Sequence, residues 1–135
     1  MSKGNTTEND VIKLLFHGTA LSWAAETDLD IHLHTADPTD TGVSTDSEAD
    51  YGSYALQTVL RDATGWDVAG NQASNDDQIA FPTCSSGSNV ITHVSITPGN
   101  STQILYSGAL TGGSLTVSSG IQPQFAAGAL VITED

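Results

Sequence analysis

The last third of the chain limits the fold more than any other stretch. There GSNVITHVSIT, STQILYSGALTG, GSLTVSSGIQPQF and AAGALVITED follow one another as short β-type runs parted by Gly, Ser and Pro. Runs this short, rich in Val, Ile, Thr and Tyr and closed by turn residues, read as strands. Their polar positions are mostly Ser, Thr, Asn and Gln, which decorate sheets and turns.

The same punctuation extends upstream. Leu29, Ile31 and Leu33 alternate with Asp30, His32 and His34, which describes a half-buried strand over residues 29–34. Further strands are expected over 53–60, 66–68, 78–81, 90–96, 103–106, 114–117 and 129–133. Turn chemistry such as Gly70-Asn71, Pro98-Gly99-Asn100 and Gly112-Gly113 bounds them. Eight short strands at this spacing predict a mainly all-β fold, a β-sandwich or jelly roll, with one short N-terminal helix. At 135 residues, with no internal repeat or break in composition, the chain reads as one domain over 1–135.

Residues 1–7 are small and polar and read as a flexible arm. Thr7 with Asp10 then resembles a capping box, Val11, Leu14 and Leu15 follow at helical spacing, and Gly18 stands where a left-handed C-cap belongs. These signals predict a helix over 8–17 that lays Val11, Leu14, Leu15 and Phe16 across a sheet; a partner-binding amphipathic helix is the other reading. Residues 35–50, TADPTDTGVSTDSEAD, read as a long acidic loop too polar to enter a core.

Charge narrows the function classes. Sixteen acidic residues face three basic ones, Lys3, Lys13 and Arg61, for a formal net charge of -13. Nucleic-acid binding needs clustered Lys and Arg, so it is not expected. Nor is a membrane partner, because the charge repels anionic lipid and no apolar run approaches a spanning length. The N-terminus lacks the apolar core of a signal peptide, and synthesis in a cytoplasm is expected. The single cysteine, Cys84, cannot form an intrachain disulfide.

Several groups could carry chemistry. Asp30, His32 and His34 share one face of a strand and form an open Asp/His metal site, with Asp28 able to extend it. Close histidines beside acids also arise on a solvated strand face, and His34 at a strand end suits a structural role, satisfying a turn's backbone. The acids at 26, 28 and 30, at 46, 48 and 50, and at 76 and 77 are oxygen-rich but lack the spacing of a dedicated calcium loop. Cys84 with His93 supplies the inventory of a thiol nucleophile, yet no flanking pattern lowers the thiol pKa, and a small buried hydrophobe is the plainer reading. No cofactor, catalytic residue or enzymatic activity is expected.

The order of motifs resembles a family of small tailed-bacteriophage virion proteins, tail-fibre or other structural proteins. The likeness runs through ENDVIKLLFHGTAL, IHLHTADP, SEADYGSYALQTVLRDATGWDVAGNQASNDDQIAFPTC, VITHVSI, QILYSGALT and SSGIQPQFAAGALVITED, nearly the whole chain. His32 departs from that pattern, where similar proteins carry a small polar residue. The resemblance implies a virion structural role and carries over no catalytic residue. Within a virion, a capsid decoration (cement) protein outside the shell is the preferred expectation, with the major capsid protein and copies of itself, as trimer or dimer, for partners. A tail-fibre or receptor-binding component is the alternative. Interface candidates are Thr7, Val11, Leu14 and Leu15 on the arm and helix, Thr35 and Asp37 on the acidic loop, and Tyr51 and Tyr54, although a core or sheet-face role suits each tyrosine at least as well.

Overall fold

A computed structural model describes residues 1–135. Its largest sheet is five-stranded and antiparallel, in the order β1 (Ser2–Lys3), β9 (Tyr106–Ala109), β8 (His93–Pro98), β2 (Asp28–His34) and β3 (Gln57–Leu60). Opposite it lie a three-stranded sheet, β12 (Val131–Thr133), β5 (Gln72–Asn75) and β4 (Trp66–Ala69), and two ladders. The ladders pair β7 (Ser88–Ile91) with β10 (Leu115–Ser118) and β6 (Ile79–Ala80) with β11 (Gln124–Phe125). The expected all-β, sandwich-like fold is what the chain adopts.

Period-2 alternation sets the core. In the β2–β8 register Ile31 faces Ile96 and Leu33 faces Val94, which puts four apolar side chains on one face. They cluster with Trp66, Ile79, Phe81, Ile91, Val117, Leu130 and Ile132 from the smaller sheets. Aromatic pairs extend the cluster: Tyr54 stacks on Phe81 at 6.4 Å, and Phe125 meets Phe81 edge-on at 6.3 Å. Burying side chains of this size stabilises by about 1.5–3 kcal/mol each.

Four expectations need correction. The run 90–96 is two strands in different sheets, β7 and β8, with the switch at Thr92. Ile91 and Val94 are both buried, and their odd separation cannot satisfy one straight strand with a single inner face. Secondly, residues 1–7 are not a free arm. Ser2 and Lys3 pair with Ser107 and Tyr106, and Lys3 forms an ion pair with Glu134.

Thirdly, α1 spans Asn5–His17, with Gly4 as N-cap in extended geometry, so no capping box forms. Thr7 is buried inside the helix, where its hydroxyl donates to the Ile104 carbonyl at 2.8 Å. Gly4 is needed here because a Cβ would lie 2.4 Å from that same carbonyl oxygen. The C-cap was legible: Gly18 adopts the left-handed conformation, φ 64°.

Fourthly, the acidic segment 35–50 enters the structure. Thr35 N donates to Ser47 O and Ala49 N donates to Leu33 O, both at 2.8 Å, so the segment folds back along the end of β2. Pro38, Ser44 and Ala49 are buried within it. Its acids cap local turns: Asp37 Oδ1 accepts from Thr39 N at 2.8 Å, and Asp46 Oδ2 accepts from Val43 N at 3.0 Å. Polarity kept these side chains out of the core without keeping the backbone away.

Candidate functional site

The outer face of β2 carries Asp30, His32 and His34, but the two histidines are buried rather than solvated. Residues 44–49 cover them. His32 Nδ1 donates to Glu48 Oε1 at 2.8 Å while its Nε2 accepts from the Thr97 hydroxyl at 3.1 Å. His34 Nδ1 donates to the Asp46 carbonyl at 2.9 Å and its Nε2 accepts from Ser95 Oγ at 2.7 Å. All four ring nitrogens are engaged, so neither ring offers a lone pair to a metal ion, and no three His, Cys, Asp or Glu side chains converge on one point. His34 holds a turn's backbone, the structural role its position in the sequence indicated.

Glu48 is the hub of this layer. Its Oε1 also accepts from Tyr54 O–H at 2.9 Å, and that phenol oxygen accepts in turn from Leu33 N at 3.1 Å. Burial alone would push the Glu48 carboxyl up, yet the bonds from His32 and Tyr54 outweigh it and hold the group below the ordinary carboxylate range. Burial pushes the Tyr54 phenol up, and the adjacent carboxylate adds to it. Burial likewise leads in lowering His34 below 6.5, so the ring is neutral at pH 7. A network so fully paired fixes loop to sheet.

The other expected site residues scatter. Tyr51 is only 3 % exposed, its hydroxyl donating to the Pro82 carbonyl at 2.9 Å, and half-buried Tyr54 is held in the network above, so both are engaged within the chain's own packing. Thr7 is buried on the inner side of α1, Thr35 is half-buried, and Asp37 stands in solvent with one carboxylate oxygen 3.9 Å from His93 Nε2. Cys84 is buried, its thiol directed to the Ser86 carbonyl at 3.2 Å, which is the packing role expected of it. A polar depression of about 510 Å³ opens between Asp28, Asp30, Glu48, Thr58, Asn100 and Thr102. Its acids serve neighbours, Asp30 Oδ1 accepting from the Thr58 hydroxyl at 2.8 Å and Asp28 Oδ2 from the Thr27 hydroxyl at 3.2 Å.

Part of what the chain leaves uncovered is apolar. Only the first turns of α1 are fixed: Gly4 N donates to Leu105 O at 3.1 Å, Asn5 N to Asp40 O at 2.8 Å, and Gln103 Nε2 to Asp10 Oδ2 at 2.9 Å. Beyond them Ile12, Leu15 and Phe16 are 55 %, 68 % and 76 % exposed. Leu14 is exposed too, and Val11 half-buried, so the helix does not spread its apolar residues over a sheet as expected. A second apolar surface, an open groove of about 400 Å³, lies between the sheets and is lined by Leu29, Trp66, Val68, Ile96, Leu105 and Ile132. Arg61 and Asp62 stand at its rim. Arg61 is held there by stacking on Trp23, 5.0 Å from the ring centre, and by donating from Nη1 to the carbonyls of Trp23 and Glu26 at 3.2 and 3.0 Å. The buried Trp66 indole N–H finds no acceptor within the chain.

Sandwich and surfaces together are those of a small, mainly all-β module with exposed apolar side chains. Its sequence places it further: the chain belongs to the family described as podophage GP4 fiber I protein gp80, whose model matches residues 2–133. It is a structural component of a phage particle, as the order of its motifs implied. No curated protein matches the chain.

Proposed function

We propose that the chain is a fibre component of the phage particle that works by surface contact rather than by catalysis. One observation carries the contact reading: Ile12, Leu15 and Phe16 stand in water on a helix rooted only at its base. Three large apolar side chains on one exposed stripe are unfavourable in a free protein and become favourable once covered. The family description favours a fibre over the shell. The paired ring nitrogens of His32 and His34 and the buried thiol of Cys84 support a role without catalysis.

A capsid decoration protein is the second reading. Its specific support is shape: short strands close a sandwich with no elongated shaft. Particle reconstruction with antibody labelling separates the two. Label confined to the tail fibres, in few copies, is expected; label spread over the shell in high copy number would replace the fibre reading with decoration.

A further inference from the structure

Residues 44–49 lie across the outer face of β2 as a strap, and apolar packing does little to hold them, since Ala49 is their one buried apolar side chain. The hold is polar instead. Ala49 N and Ser44 N donate to the carbonyls of Leu33 and Thr102 at 2.8 and 3.0 Å, and Ser47 O accepts from Thr35 N. The remaining ties run through side chains, His34 to the Asp46 carbonyl and His32 and Tyr54 to Glu48. Two features work against the strap. Ser47 takes a left-handed backbone, φ 52°, and the buried Ser44 hydroxyl finds no partner within the chain. A segment held by a few polar bonds, with backbone strain and an orphan hydroxyl of its own, opens more readily than the core it covers.

His34 is 0 % exposed beneath this strap. Its Nε2 lone pair is taken by the Ser95 hydroxyl, so a second ring proton has to displace that bond and leave a cation without water. The groups around the ring do not compensate. From β2 the His32 ring stands 6.4 Å away, and from β8 His93 adds another imidazole; both, when charged, repel a charged His34. Asp37 stands beyond His93, 3.9 Å from its Nε2. From the strap Glu48 attracts, but its carboxylate is already shared by His32 and Tyr54. Asp46 turns its carboxylate to Val43 N and offers only its carbonyl. Burial outweighs these attractions, so the ring takes its proton when the strap lifts.

We propose that residues 44–49 are a pH-released strap: protonation of His34 favours lifting of the strap from β2 while the sandwich beneath stays folded. Lifting returns His34 to water and to its ordinary 6.5, so the closed form is fully favoured above pH 6.5 and loses ground as pH falls toward the lower folded value. Each pH unit in that window raises the lifted fraction by up to about tenfold. Glu48 is held below 4.5, so its own proton enters only in stronger acid. What the strap uncovers is a polar strip, His32 and His34 beside Ser95 and Thr97 of β8, hidden at neutral pH and presented in mild acid.

Amide exchange of the full chain, resolved by residue and corrected for intrinsic rates from about pH 7.5 to about pH 5, tests the strap. The N–H groups of Thr35 and Ala49 are the reporters, since their bonds cross between strap and β2. Their protection is expected to hold steady above pH 6.5 and to fall by up to about tenfold per unit below it. Low urea should leave their exchange unchanged, because lifting exposes little surface, while exchange of the β8 amides accelerates with urea. His34→Gln should remove the pH dependence of the strap. The unaltered chain decides the matter even if that variant fails to fold. Protection of Thr35 and Ala49 that ignores pH across this range overturns the proposal, as does protection that equals that of β8 and shares its urea dependence. A pH dependence that survives in folded His34→Gln overturns it too.

Discussion

Replacing Asn75 by Ala tests whether one side chain ties its own turn to the segment 126–130, 51 and 55 residues further on. Asn75 is 1 % exposed. Its Nδ2 donates to the carbonyls of Asp77 at 2.7 Å and Ala126 at 2.9 Å, while Oδ1 accepts from Leu130 N at 2.8 Å. Alanine removes all three bonds but leaves the main-chain bonds Asn75 N to Leu130 O and Gly128 N to Asn75 O intact. Each lost bond costs about 1 kcal/mol net, and a backbone group left buried without water adds to that, which gives about 3–5 kcal/mol in all. For 135 residues the unfolding entropy is about 0.28 kcal/mol per K, so the melting temperature should drop by about 11–18 °C. Asn89→Ala provides a contrast. That amide accepts from Asp50 N and Tyr51 N at 2.9 and 2.8 Å but is only half-buried, so water can replace it, and the fall should be under half as large. Differential scanning calorimetry reads both. A loss below about 3 °C for Asn75→Ala would refute the reasoning, since it would mean that water or a relaxed backbone satisfies all three groups.

Acid should unfold the protein in two stages. Burial first of all keeps His34 below its ordinary 6.5, so the unfolded chain takes up a proton that the folded one refuses; stability is complete above pH 6.5 and falls below it. Glu48, held below 4.5 against the pull of burial by its bonds to His32 and Tyr54, contributes stability above that pH that is lost as pH falls through its folded value. Urea midpoints from neutral to acid pH should follow this course, and His34→Gln should flatten the first stage; an unaltered slope would count against it. Gly4→Ala should loosen the root of α1, because its Cβ would sit 2.4 Å from Ile104 O, raising amide exchange in the helix and leaving β2 and β8 unchanged. Cys84 should react with a thiol reagent at the rate of global unfolding, and fast labelling of the folded chain would contradict its burial.

The fold class could be read because alternation and turn residues act locally: Leu29, Ile31 and Leu33 declared their face, and Gly18 its cap. Other features depend on partners distant in the chain. Strand β5, QASN, has no apolar signature and forms because β4 and β12 flank it. The spacing of Ile91 and Val94 did hold the sheet switch, but only an argument from parity would have found it. The histidines of β2 were visible as a pair, whereas their burial under residues 44–49 depends on bonds from Glu48 and Asp46, 16 and 12 residues away. For α1 the apolar spacing was correct and the covering surface was misassigned, since helical periodicity names a buried face without saying which molecule buries it. Asn75 gave no signal at all, because an amide in a short polar run reads as a turn residue.

Lys3 and Glu134 meet, and Tyr106 donates to the same carboxylate. A pull applied across the two ends of the chain therefore enters and leaves at nearly one point. It loads the two residue pairs of β1 and the three of β12, and the long β2–β8 ladder lies outside that path. Once β1 peels away, the next holdfast is the Gly4 to Leu105 bond at the root of α1. Tension between the ends would thus first free and reorient the helix, while the sandwich behind it stays folded.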